Sequence, residues 1–174
     1  MLKRLNILII IFYLFFFNLV SSDDKILFID LDYIFLNSLA GKKINDEILN
    51  KSKNIQNEFN NYKQKISDEK NQLINQKNVL NKDEYKKKFD KLEKKVVEFN
   101  KSISKKNNDL IKFKDNAKIE FSNKLREILE EYSTKKSVEM IIYKKNILIG
   151  KNNLDATKDV LDLLDKKVKK IKIQ

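Results

Sequence analysis

The 174-residue sequence has no cysteine, no histidine and no proline, and its only glycines are Gly41 and Gly150. Without cysteine there is no disulfide and no thiolate chemistry. Without histidine the usual proton shuttle and metal ligand is missing. Domains of many strands and tight turns need glycine and proline at their corners, so their scarcity predicts long uninterrupted helices. Arginine is nearly absent too: Arg4 and Arg126 are the only two, and lysine carries almost all of the +12 net charge. Asparagine and isoleucine are abundant beside it, a combination that AT-rich coding also produces, so net charge by itself names no partner. No Gly-rich phosphate loop, HExxH or GxSxG stands in the sequence. Asp30 and Asp32 are two apart but have no second cluster to work with, and they read as a strand end and a helix cap. The chain is therefore expected to be no enzyme and to hold no cofactor or metal.

Lys3 and Arg4 precede the run Ile7–Val20, ILIIIFYLFFFNLV, which is followed by Ser21, Ser22, Asp23 and Asp24. That is the basic, apolar, small-residue order of a secretory signal peptide. A spanning helix needs about 20 apolar residues, and this run of fourteen includes Asn18. Residues 1–22 are expected to be cleaved after Ser22, and no cysteine lies there to carry a lipid anchor. Loss of Lys3 and Arg4 leaves an exported chain of 152 residues with a charge of +10.

Beyond the leader, the dominant feature is an apolar stripe. Through residues 85–117, Tyr85, Leu92, Phe99, Lys106 and Phe113 recur at every seventh place, interleaved with Phe89, Val96, Ile103, Leu110 and Ala117. Lys106 alone among them is not apolar. Alternating steps of four and three make a coiled-coil seam, because 3.5 residues per turn hold one stripe against a partner. A sibling helix, a membrane, a nucleic acid and an unfolded polypeptide are all conceivable occupants. A weaker copy runs upstream through Ile48, Ile55 and Tyr62 in one series and Phe59, Ile66, Leu73 and Leu80 in the other, interrupted by Glu69 and Gln76. Between the copies, Asn81 and Glu84 form a capping-box pattern. One helix is thus predicted to end near Val79 and the next to begin near Lys82, antiparallel across so short a joint.

After Ala117 the spacing changes, with Phe121, Leu125, Ile128 and Tyr132 following by four, four, three and four. Such a stutter unwinds a left-handed supercoil and marks where the hairpin is expected to meet a compact body. Residues 83–134 would span roughly 80 Å at 1.5 Å per residue, so the hairpin must project as an arm. Outside it, Lys25–Asp30, Val138–Tyr143 and Ile147–Gly150 read as strands. A short helix over DYIFLNSLA is predicted to end at Gly41 in a left-handed cap. A last helix, capped by Asp155 or Thr157, presents Val160, Leu163, Leu164 and Val168 on one face. A body of about seventy residues is marginal alone, so neighbouring copies are expected to complete its burial.

KILFIDLDYIFLNSLAGKK, the hairpin, and VEMIIYKKNILIGKNNLDATKDVLDLL with its Asp155-Ala-Thr157 together resemble the Skp, or OmpH-like, family of periplasmic chaperones of Gram-negative bacteria. The similarity spans nearly all of the exported chain, in structural rather than catalytic motifs. It implies an α+β fold: a small β-strand trimerisation body with a long antiparallel coiled-coil helical hairpin arm. The body would be residues 23–41 and 135–174, and the arm 42–134 with its tip near 79–83. The resemblance also implies a homotrimer in the periplasm whose arms surround a cavity holding unfolded outer-membrane β-barrel proteins without nucleotide hydrolysis. Family members often carry more proline, glycine, glutamine and arginine than this chain does.

The seam residues read as hairpin packing, so client contact is sought among apolar residues off the seam: Ile74, Val79, Val97, Ile111 and Ile119. The lysines flanking the tip and upper arm are Lys77, Lys82, Lys86, Lys87, Lys88, Lys94, Lys95, Lys105 and Lys106. They read as a solvated helix face that would also attract acidic clients, anionic lipid or lipopolysaccharide. The alternative reading is a basic coiled-coil envelope spacer or a nonspecific binder of anions such as nucleic acid or lipid. Specific nucleic-acid recognition is not expected, because no arginine cluster or base-stacking platform accompanies the lysines.

Overall fold

The computed structural model describes residues 25–173, and the expected signal peptide lies outside them. The elements are β1 (Ile26–Ile29), α1 (Leu31–Asn37), α2 (Leu39–Asn75), α3 (Lys82–Lys136), β2 (Met140–Tyr143) and α4 (Thr157–Lys167), with single 3-10 turns at Lys144–Asn146 and Asn152–Leu154. The fold is α+β, a small strand-bearing body from which α2 and α3 extend as an antiparallel helical hairpin. At 1.5 Å per residue, the 55 residues of α3 span roughly 80 Å.

β1 and β2 pair in parallel, Ile26 opposite Met140 and Ile29 opposite Tyr143. Parallel strands cannot be joined by a tight turn; here the crossover contains the whole arm. Leu27, Phe28 and Ile29 are all buried, as suits a strand covered on both faces. The far edge of β1 is covered by the segment before α4: Ala156 N–H donates to the Phe28 carbonyl at 2.9 Å, and Asp30 N–H donates to Thr157 Oγ1 at 2.8 Å.

Asp30 caps α1, its carboxylate accepting from Tyr33 N–H at 2.9 Å. Ser38 then does two jobs: its N–H closes α1 on the Ile34 carbonyl, and its buried Oγ accepts from Gly41 N–H at 3.0 Å to start α2. Gly41 is therefore not the left-handed end of the first helix. It lies inside the first turn of α2 without positive φ, and a Cβ there would meet the Phe35 carbonyl oxygen at 1.8 Å. The glycine is needed for close approach. A second acceptor at this end comes from far along the chain, since Asp165 Oδ1 accepts from Leu39 N–H at 2.7 Å.

The body core forms one cluster with the root of the arm. Leu27, Ile29 and Ile34 join Ala40 and Ile44 of α2, Val160 and Leu164 of α4, and Ala117, Phe121, Leu125, Ile128 and Tyr132 of α3. The five α3 residues are those at and beyond the change of step, so the stutter falls where the arm enters the body. Phe121 meets Phe35 edge to face at 4.9 Å between centroids. Tyr132 donates to Asp159 Oδ2 at 3.1 Å, and burial followed by this hydrogen bond raises its pKa. α3 ends at Ser137, whose φ of 52° makes a left-handed cap.

Two further expectations differ from the structure, and one choice left open is decided. Ile147–Gly150 is not a strand: β1 has the 155–157 segment on its free side, and the loop leaves Leu148 100% and Ile149 92% exposed. α2 ends at Asn75 rather than near Val79, the chain turning through Gln76–Leu80 before the capping box of Asn81 and Glu84 begins α3. Of Asp155 and Thr157, it is Asp155 that serves the start of α4, its Oδ1 accepting from Thr157 N–H at 2.9 Å, while Thr157 Oγ1 accepts from Asp30 N–H.

Two stability measurements follow from this junction. Gly41→Ala should cost about 3 kcal/mol through overpacking against the Phe35 backbone, read as a lowered urea midpoint. Asp155 is raised by burial, but hydrogen bonds from the Thr157 side chain and backbone and from Lys144 outweigh that and hold its pKa below 3.8. A lowered folded pKa stabilises above the unfolded value and is lost as pH falls through the folded one. Stability should thus drop below about pH 4 with a component that Asp155→Asn removes.

Candidate functional site

The features that set this chain apart are surfaces. Among the described residues no cluster of carboxylates suited to a metal occurs, and no helix is long and apolar enough to cross a membrane. The surfaces to consider are the arm and the exposed face of the body.

The arm seam is filled from within. Tyr62 stacks on Phe99 with centroids 3.7 Å apart, and Phe59 flanks the same ring at 6.1 Å. Leu73 and Leu110 are buried, and Leu92, Val96, Ile103 and Phe113 are half-buried between the helices. The interruptions in the α2 pattern have polar partners on α3. Gln76 Oε1 accepts from Lys88 Nζ at 2.7 Å, and Glu69 accepts from Lys95 Nζ at 2.7 Å. The seam cation Lys106 pairs with Glu58, and Lys51 lies 4.6 Å from the Phe113 ring centroid. Near the tip, these polar layers leave an open slot of about 350 Å³ between Gln72 and Gln76 on one side and Lys88 and Lys91 on the other. Phe89, read as a seam residue, is 44% exposed. It lies level with the end of α2, which has no further turn to cover it.

Of the nine lysines singled out by position, Lys88, Lys95 and Lys106 are thus tied across the arm. Lys77, Lys82, Lys86, Lys87, Lys94 and Lys105 are exposed to solvent. The five apolar residues placed off the seam are all exposed: Ile74 53%, Val79 83%, Val97 51%, Ile111 56% and Ile119 57%. At 100° per residue, Val97, Ile111 and Ile119 fall within an arc of about 80° and form one stripe along α3. Ile74 lies in the last turn of α2, and Val79 stands in the tip turn, apart from that stripe.

The body carries a second apolar surface that sequence reasoning did not single out. Ile26 and the Met140 opposite it in the sheet are 44% and 53% exposed, and in the loop after β2 Leu148 and Ile149 are 100% and 92% exposed. β2 has β1 on one side and no strand on the other among the described residues. The signal for this surface was present in Ile147–Ile149, three aliphatic residues between a lysine turn and a glycine, but period-two patterning cannot say which chain supplies a strand's partner.

Three comparisons bear on this architecture. A crystal structure of a protein from Caulobacter crescentus CB15, described as an OmpH-like outer membrane chaperone, superposes with a TM-score of 0.81 over 86% of this chain and 89% of that one, at 13% identity. At that identity the likeness is one of fold. No curated protein matches the sequence significantly. The model of the family described as outer membrane protein (OmpH-like) matches residues 25–164, which takes in the sheet, both helices of the arm and most of α4. The chain belongs to the OmpH-like family.

Proposed function

We propose that this chain is an ATP-independent holdase chaperone of the periplasm that encloses unfolded outer-membrane β-barrel proteins between arms and prevents their aggregation. The observation that carries the reading is an arm whose seam is already filled, yet which bears exposed aliphatic side chains at Val97, Ile111 and Ile119. Apolar residues scattered singly over a surface are ordinary; a repeated stripe on a projecting arm suits weak, plural contacts with many sequences, which can be accepted and later released. Family membership and the chaperone description of the Caulobacter crescentus protein support the same reading.

In this reading the chain divides into a body, residues 23–41 and 135–174, and an arm, 42–134. The body makes a homotrimer. Its support is the open edge of β2 together with the exposed Leu148 and Ile149, surfaces that one chain leaves bare and that neighbouring copies would cover. The exposed arm lysines draw acidic clients, anionic lipid or lipopolysaccharide from a distance, over a screening length of about 8 Å at physiological salt.

Three results are expected. Replacing Val97, Ile111 and Ile119 together by Asp should weaken suppression of light scattering by a urea-diluted outer-membrane barrel protein while sedimentation shows the assembly unchanged. Undiminished suppression would remove those positions from the lining. Leu148→Asp with Ile149→Asp should release single chains in sedimentation, and a retained trimer would put the assembly contact elsewhere. Client capture measured by stopped-flow fluorescence should slow as salt rises; an association rate indifferent to ionic strength would dismiss the steering role.

A further inference from the structure

Apolar heptads define a seam without defining where along it two helices meet, because sliding one helix by seven residues again sets apolar against apolar. The composition of the tip does not settle the matter: Gln76–Leu80 holds no glycine or proline, and none of its residues is barred from a helix. The polar contacts across the arm nevertheless obey one alignment. Lys88 meets Gln76, Lys95 meets Glu69, Lys106 meets Glu58, and Phe113 meets Lys51. Each step along α3 is matched by an equal step back along α2.

We propose that Lys106, the cation placed in the seam, selects the pairing register of the arm. In the observed register it meets Glu58. A slip of one heptad would bring Lys51 to that place in one direction and Lys65 in the other. Both slipped registers therefore set like charges together across the arm, while the Glu58 carboxylate moves about 10 Å away. The other cross-arm lysines lack this discrimination. Slipped, Lys95 would meet Tyr62 or Gln76, both neutral, and Lys88 would meet Glu69 in the same register that sets Lys106 against Lys51. A single polar residue at a seam position lowers stability relative to an aliphatic one and specifies one alignment in return. A fixed register in turn holds the tip turn on the Asn81 capping box and keeps Ile74 and Val79 at one height beside α3.

The chain has no cysteine, so introduced thiol pairs report register directly. In the full chain, Glu69→Cys with Lys95→Cys reports the observed register. Tyr62→Cys with Lys95→Cys, and Gln76→Cys with Lys95→Cys, report the two slipped ones. Bridging by dibromobimane, a short thiol cross-linker, is the readout, and every reporter removes Lys95, leaving Lys106 as the cation under test. With Lys106 intact, only the 69/95 pair should bridge efficiently. Lys106→Leu, which keeps the seam apolar and the arm helical by circular dichroism, should divide the product between 69/95 and a slipped pair. Lys106→Glu, whose carboxylate would meet a lysine in either slipped register, should lower the 69/95 yield several-fold, and adding Glu58→Lys should restore it. A lone 69/95 product in the Lys106→Leu background overturns the proposal and assigns register to the tip or to the arm roots packed in the body core.

Discussion

The parallel pairing of β1 with β2 is the constraint on which the rest of the molecule depends. Parallel neighbours demand a long crossover, and the chain meets that demand by running out along α2 and back along α3 before β2 begins. The arm is consequently part of the topology of the body. Its roots are also part of the core, since Phe121, Leu125, Ile128 and Tyr132 share one apolar cluster with both strand and short-helix residues. A body of this size would be marginal without them.

α4 ties the junction together. Its first residue bonds to the end of β1 through Thr157, Asp159 accepts from Tyr132 of α3, Asp165 caps the start of α2, and Lys167 pairs with Glu131. One short helix thus reaches the strand and both arm helices. The direction in which the arm leaves the body rests on polar contacts of specific geometry laid over a packed core, whereas farther out the arm has only its own two helices for support.

Charge has two uses along that arm. Lys88 is spent across the hairpin on Gln76 just past α2, and Lys95 and Lys106 on carboxylates of α2, where ion pairs this exposed contribute roughly 0.2–1 kcal/mol each. The larger effect proposed for Lys106 is on alignment. The other lysines near the tip face solvent and remain available to act at a distance. A count of positive charge treats both sets alike; only the facing helix separates them.

Much of the fold was legible from periodicity. The seven-residue repeat, its change of step after Ala117 and the Asn81 capping box are local patterns, and α2, α3 and the arm root follow from them because a helix carries its face in its spacing. The readings that failed depended on what lay opposite. Gly41 looked like a helix end, yet the Phe35 carbonyl pressing on its α-carbon makes it a contact point inside a helix. Phe89 fits the heptad but overhangs a partner helix that has already ended. Ile147–Gly150 has strand composition and no neighbouring edge within its own chain. By itself, then, the sequence determined the long helices, their amphipathic faces and the antiparallel sense of the arm, all properties of residues close together in the chain. Only the tertiary structure decided the parallel order of the strands, the trans cap from Asp165 and which apolar residues stay bare, because each requires knowing what a distant segment places alongside.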